Sequence, residues 1–388
     1  MAGSFKGDVY ISISGNTNRN NFIVYDLSGP VVRVHDEFTE FGLHLTRDIL
    51  LARSTVVNRI YSVARFRKFL RSRSFATEKE LEYENLSDET LKEFRSVLEI
   101  DAPKRAKRKR KRAFVGTINA CLSAVYDWVL WLQDTGRVPD QTIGVFPAAI
   151  QAFRNPKKPT QWFKPLLLPR AGRGARSKPM NFVPNDEIKE AALDHLSTSS
   201  NSEYVCVRNS LIQRLAERVG LRRDSIASLV AESFKRARLE AAKHSIDVTP
   251  PRQKNGYEDS FDVPIDLAYE VCSFIENLRD PFAESKGSKA EELFLSFRNG
   301  LPLTPSSMTA IFSKVMKAAG GPLGAALHIW RHRFTQDELD REMAFRRREG
   351  LFTSDADVCA AVSRRLGHAN PASIKPYLDS YYTRTKRA

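Results

Sequence analysis

HIWRHRF at 328–334, RRLGHANP at 364–371 and KPYLDSYY at 375–382 are the lines of sequence on which the reading of this chain turns. His328 and Arg331 stand three apart, so on a helix they share a face and can address one substrate group. A guanidinium grips phosphate oxygens with a planar fork of donors. An imidazole moves protons near neutral pH, and a tyrosine hydroxyl can act as a covalent nucleophile. Gly367 and His368, then Tyr377 nine positions after His368, complete the set. These residue types together suit attack on a phosphodiester. A lone His-x-x-Arg in a basic chain would be only a solvated helix face; the ordered set carries the argument.

The set resembles the tyrosine recombinase (phage integrase) family of site-specific DNA recombinases, whose final third carries His-x-x-Arg, Leu-Gly-His and Tyr at this spacing. His332, directly after Arg331, fits the same pattern. GLRRDSIASL at 220–229 resembles the family's Gly-Leu-Arg motif, which singles out Arg222; Arg223 beside it is expected to point to solvent or backbone phosphate. Where the family has an acid three residues after this Arg, Ser225 stands, with Asp224 one place early. HSIDVTP at 244–250 and FDVPI at 261–265 read as a β-hairpin, with Asn255-Gly256 as the turn signal. In the family a lysine on this hairpin reaches the minor groove; Lys254 matches by position, with Arg252 and Lys243 as alternatives.

The resemblance implies a mechanism. Tyr377 attacks the scissile phosphate to form a 3′-phosphotyrosyl bond, and Lys254 protonates the departing 5′-hydroxyl. Arg222 and Arg331 stabilise the transition-state charge, His328 accepts the nucleophile's proton, and His368 hydrogen-bonds the phosphate. Tyr381 and Tyr382 compete with Tyr377 but read as packing residues, because Tyr377 alone has the nine-residue offset. No cofactor and no metal is implied. The implied partners are double-stranded DNA with specific recombination sites and a homotetramer on that DNA, with a monomer in solution and accessory DNA-bending proteins as further expectations. Strand exchange would pass through a Holliday junction, in the cytoplasm and on the nucleoid, for a mobile element or a chromosome. A type IB topoisomerase or telomere resolvase would share this chemistry. A non-catalytic DNA-binding protein on the same scaffold, or a nucleoid-type architectural protein, would not need the intact constellation.

The totals agree with a polyanionic partner. Lys and Arg outnumber Asp and Glu by 61 to 46, a net charge of +15 with a pI near 9.7. No apolar run is expected to reach bilayer-spanning length. Cys121, Cys206, Cys272 and Cys359 are scattered, without zinc or disulfide spacing, and are expected to be buried.

At 388 residues, two domains are the default. Residues 1–40 form a β-rich leader, expected to pack on the adjoining helical domain. Residues 41–152 read as that helical domain, similar to the family's SAM-like core-binding domain. In it, 46–73 is expected to be one amphipathic helix with Val57, Ile60, Tyr61, Ala64 and Phe69 inward. Ser87 is a candidate cap for the next helix, and 114–136 forms another. Between them lies KRAKRKRKR, in which Lys104, Arg105, Lys107, Arg108, Lys109, Arg110, Lys111 and Arg112 repel one another and gain from a polyanion. Residues 153–183 are a basic linker rich in Pro and Gly. Residues 184–388 are the catalytic domain, so the fold class is mainly α with a small β-hairpin, implied by the resemblance to be a two-domain DNA clamp. Forty residues separate His328 from His368, more than the family uses; the charged, helix-favouring surplus at 337–356 could lengthen the helix bearing Arg331 or form an excursion that touches DNA or a neighbouring protomer, and reads most simply as a solvated insertion.

Overall fold

A computed structural model of the chain describes residues 10–14, 21–26, 32–74, 86–105, 112–140, 142–143, 146–147, 162–163, 166–167, 182–253, 258–367 and 370–385. Lys254 with the Asn255-Gly256 turn, His368 and the centre of the basic run (106–111) lie outside these residues, as does most of the linker. The chain forms two compact units, Met1–Arg173 and Gly174–Ala388.

In the first unit, β1 (Tyr10–Ser14), β2 (Asn21–Asp26) and β3 (Arg33–Val34) form an antiparallel sheet in that order. Four helices come next: α1 (Asp36–Arg47), α2 (Arg53–Ser74), α3 (Asp88–Arg105) and α4 (Arg112–Asp134). Val24 of β2 sits in the same core as Phe38, Phe66, Phe94 and Trp128, so the leader packs on the helices. Ser87 caps α3, its Oγ accepting from Thr90 N at 3.3 Å.

Three expectations for this unit need correction. The helix foreseen over 46–73 is broken: α1 ends at Arg47, Leu50 takes φ 56°, and α2 starts at Arg53. The inward stripe of α2 is also rotated, with Val56, Ile60, Val63, Phe66 and Leu70 buried while Val57, Ala64 and Phe69 are only partly so. Phe66 decides the face, since it meets Phe94 and Trp128 edge-on at 4.9 and 6.2 Å between centroids. An apolar run long enough to cross a bilayer does exist, at Phe114–Asp134 of α4 with mean hydropathy 1.3. Leu122, Val125, Tyr126, Trp128 and Leu132 within it are fully buried in the helical core, which accounts for its hydropathy. Phe146–Pro147 (β4) pairs antiparallel with Trp162–Phe163 (β5).

The second unit opens with α5 (Asp186–Thr198), capped by Asn185, whose Oδ1 accepts from Ile188 N at 3.1 Å. Then come α6 (Glu203–Arg218), the single turn α7 (Arg223–Ile226) and α8 (Arg236–Glu240). The hairpin is β6 (Ser245–Val248) against β7 (Phe261–Pro264), with Ile246 opposite Val263 and Val248 opposite Phe261. Those four side chains face the core while their neighbours alternate outward, the period of a half-buried ribbon. α9 (Ile265–Phe274) runs through a π turn into α10 (Asp280–Ser285), and α11 (Pro305–Ala318) comes after it. The unit closes with α12 (His328–Arg348), α13 (Asp355–Arg365) and α14 (Lys375–Thr385).

The surplus residues after Arg331 are solvated only in part. Residues 337–348 lengthen α12, and Leu339 and Met343 on that extension join a core with Val358, Val362, Leu366, Ile374 and Leu378, while residues 349–356 are exposed. All four cysteines are free and buried.

Candidate active site

The site is assembled where α6 gives way to α7, where α12 begins, and where α13 turns into α14. Gly220 makes the first of these turns with φ +72°, and a Cβ there would fall 2.2 Å from the Phe334 ring. Only glycine meets both demands. The turn leaves Arg222 extended at the N-cap position of α7 and presents the Gly220 carbonyl to α12.

Arg331, in the first turn of α12, is 2% exposed. Its Nη1 donates to Gly220 O and its Nη2 to Leu366 O at 2.6 Å. The Nη2 of Arg222 reaches Gly367 O at 3.5 Å. Both guanidiniums therefore grip one turn, residues 366–367. Gly367 has φ +57°, and a Cβ there would lie 2.7 Å from Asp259 Oδ2, at the hairpin's end. Burial, and then the charge of Arg222, press Arg331 down to about 9, with Tyr377 acting the other way. Two cations that disfavour each other are both relieved by an anion placed between them.

Tyr377 lies near the start of α14, 8% exposed, with its Oη in a hydrogen bond with His332 Nδ1. Burial pushes its phenol up to about 12, against opposing pulls from Arg331 and a hydrogen bond with Thr335. His332 is pushed down to about 4, first by burial and then by the charges of His328 and Arg331. His332 is therefore neutral at pH 7, and in its Nε2–H tautomer Nδ1 accepts from the phenol. His328 is exposed and stands behind His332, with ring centroids 4.6 Å apart at 70°.

This geometry departs from the sequence assignment in one respect: His332, not His328, touches the nucleophile candidate. The signal was present, because His328 and His332 are four apart on one helix face. Thr335, one turn further on, was not foreseen; its Oγ1 donates to Arg331 O at 2.8 Å. Arg223 donates through Nη1 to Thr309 Oγ1 at 2.8 Å, with its side chain 41% exposed, as expected of a residue facing solvent. Ser225 is buried, and Arg252 donates its backbone N to Ser228 Oγ at 3.0 Å and Nη2 to Ala227 O at 3.3 Å. Lys243 is exposed just before β6. Tyr381 is buried beneath the Arg347 guanidinium, and Tyr382 donates to Asp355 Oδ1 at 3.0 Å, so each has a packing partner. Of the basic run, Lys104 and Arg105 end α3 and Arg112 begins α4; Lys107, Arg108, Lys109, Arg110 and Lys111 lie outside the described residues. Among the described residues, no group of three or more His, Cys, Asp or Glu side chains could hold a metal ion.

Solved structures share this architecture. The chain is similar to the XerH site-specific recombinase bound to difH substrate in a pre-cleavage complex, at 14% identity over 83% of this chain and 76% of that one, with a TM-score of 0.53. It is equally similar to XerH on palindromic difH substrate in a post-cleavage complex, at 15% identity, 86% and 78% coverage and a TM-score of 0.53. The Tn1549 transposon integrase in complex with circular intermediate DNA also aligns, at 14% identity, 91% and 98% coverage and a TM-score of 0.48. No family model and no curated protein matches the chain. At these identities the likeness is one of fold, and the fold is that of the tyrosine recombinases.

Proposed function

We propose that this chain is a tyrosine-type site-specific DNA recombinase that cuts and rejoins double-stranded DNA through a 3′-phosphotyrosyl intermediate. One observation carries the reading: Tyr377 lies against His332 while Arg331 and Arg222 converge on the adjoining turn.

In the proposed reaction Tyr377 Oη attacks the scissile phosphorus and the bond from phosphorus to the 5′-oxygen breaks. The phenol's proton passes to His332, a role the contact favours over His328. The departing 5′-oxygen takes a proton from Lys254, the hairpin lysine matched by sequence position. Arg222 and Arg331 exchange backbone carbonyls for the non-bridging oxygens, where charge grows in the transition state. His368 comes directly after the same turn and would add a hydrogen bond to the phosphate. The covalent intermediate keeps the energy of the broken bond, so a new 5′-hydroxyl can reverse the step with another strand.

The resting site holds the nucleophile protonated, since Tyr377 at about 12 and His332 at about 4 leave the proton on the phenol. An entering phosphate changes that balance. Its negative charge makes His332 more basic, disfavours a free phenolate and compensates the two guanidiniums, so the proton leaves the phenol only as the bond to phosphorus forms. Cleavage is thereby coupled to substrate occupancy. Strand exchange on specific sites would result from four protomers acting pairwise, and the basic run at 104–112 would add phosphate contacts that strengthen binding without reading sequence.

A nicked suicide duplex tests this. The protein is expected to become covalently attached to it, and Tyr377→Phe to bind the same duplex without attaching. Attachment by Tyr377→Phe would refute the assignment. A plasmid relaxation assay beside a two-site recombination assay separates recombinase from topoisomerase.

A further inference from the structure

The extension of α12 has no part in the proposed reaction, yet it carries two buried carboxylates. The side chains of Glu338 and Glu342 are 8% and 4% exposed and stand one turn apart on α12. Both meet the same guanidinium, that of Arg365 at the end of α13: Nη1 lies 3.2 Å from Glu338 Oε2, and Nη2 lies 2.9 Å from Glu342 Oε2. Their remaining oxygens face Arg341 and Arg346, the latter at 2.7 Å through Nε.

Arg365 is directly followed by Leu366 and Gly367, whose carbonyls accept from Arg331 and Arg222. Helix α12 thus grips the end of α13 at two levels, by Arg331 near its start and by the two glutamates beyond. An apolar contact alone tolerates sliding, whereas a forked guanidinium bound to carboxylates on successive turns has one register. Sliding by a turn would take one of the two buried carboxylates away from Arg365, whose own side chain is 49% exposed.

We propose that Glu338 and Glu342 are positioning residues: through Arg365 they fix the 366–367 turn against Arg331 and Arg222, and so set the geometry of the phosphate site. The role in cleavage rests on the recombinase reading; the fixing of the turn does not.

The test replaces the two carboxylates and Arg365 with apolar groups of similar size; Arg346 keeps its donation to Phe352 O and Arg341 is 63% exposed, so neither is left as a buried ion without a partner. The full-length variant Glu338→Met/Glu342→Met/Arg365→Met should melt within a few degrees of wild type. Its affinity for the nicked duplex should stay within about twofold, while its single-turnover rate of covalent attachment falls at least about tenfold. Cleavage at the wild-type rate by this folded variant would overturn the proposal. Hydrogen exchange supplies a readout that does not depend on activity. Amides of the peptide spanning 363–374 should exchange faster in the variant, with α5 and α6 unchanged. Unaltered exchange there would overturn the proposal even if wild type failed to cleave, a failure that by itself would count against the recombinase reading. Should the triple variant not fold, Glu342→Gln is expected to give the same local exchange and a smaller rate loss, and wild-type values for both would equally overturn it.

Discussion

The two halves of α12 bury charge in opposite ways. From His328 to Thr335 the buried cation is Arg331, set on backbone carbonyls, with its charge disfavoured by burial and by Arg222. From Gln336 onward the buried charges are carboxylates, and arginines from two helices match them. The first half holds Arg331 on backbone carbonyls; the second is neutralised by ion pairs within the fold. On the proposed function, one helix would serve a substrate at its start and the protein's own architecture at its end. Substitution of Arg331 should damage chemistry and spare stability, and substitutions of buried residues in the second half should do the reverse or act through geometry.

The largest effect should come from Arg331→Ala. Covalent attachment to a suicide duplex is expected to fall by about 10²–10³-fold, the usual loss for one donor aimed at developing charge. The melting temperature should move little, because losing two carbonyl contacts is offset by removing a cation that its surroundings disfavour. A large drop in melting temperature would erase the contrast between the halves. In the second half, Leu339 is fully buried, and Leu339→Ala should cost about 2–5 kcal/mol in urea unfolding. A loss below about 1 kcal/mol would mean that the extension is not part of the core.

His332 sharpens the comparison through pH. Its folded value of about 4 lies below the ordinary 6.5, so between these values the unfolded chain binds the extra proton. Stability contributed at this position is then present above pH 6.5 and is lost as pH falls toward 4, by at most about 3 kcal/mol. In His332→Asn this part of the acid dependence should vanish, as measured by urea unfolding at pH 7 and pH 4.5. The same variant should slow cleavage by about 10²-fold at neutral pH, more than His328→Asn does. The smallest effect belongs to the cap of α13, where Ser354 Oγ accepts from Asp357 N at 3.3 Å. Ser354→Ala should cost about 1 kcal/mol and leave attachment chemistry unchanged.

Local signals were legible along the chain because they depend on neighbours in sequence. The cap at Ser87, the hairpin strands and the burial of the cysteines are of this kind. The motif residues Arg222, Arg331 and Tyr377 could be named from their order, and the structure brings them to one turn with His332. What escaped depends on partners far along the chain. The phase of α2 is set by Phe94 and Trp128, which periodicity within α2 does not contain. The stretch DELDREMAFRRREG looked solvated because it is charged; Arg365 is what buries Glu338 and Glu342. His332 is hard to single out as a proton acceptor in sequence because His328 belongs to the better-known pair, although both share a helix face.

The central claim is that Tyr377 becomes covalently joined to DNA. Digesting the trapped adduct with nuclease and protease, then sequencing the nucleotide-bearing peptide by mass spectrometry, reads it directly. The account predicts a 3′-linked nucleotide on Tyr377, in the peptide that also holds Tyr381 and Tyr382 unmodified. A nucleotide on either of those tyrosines, or on any other residue, would contradict it.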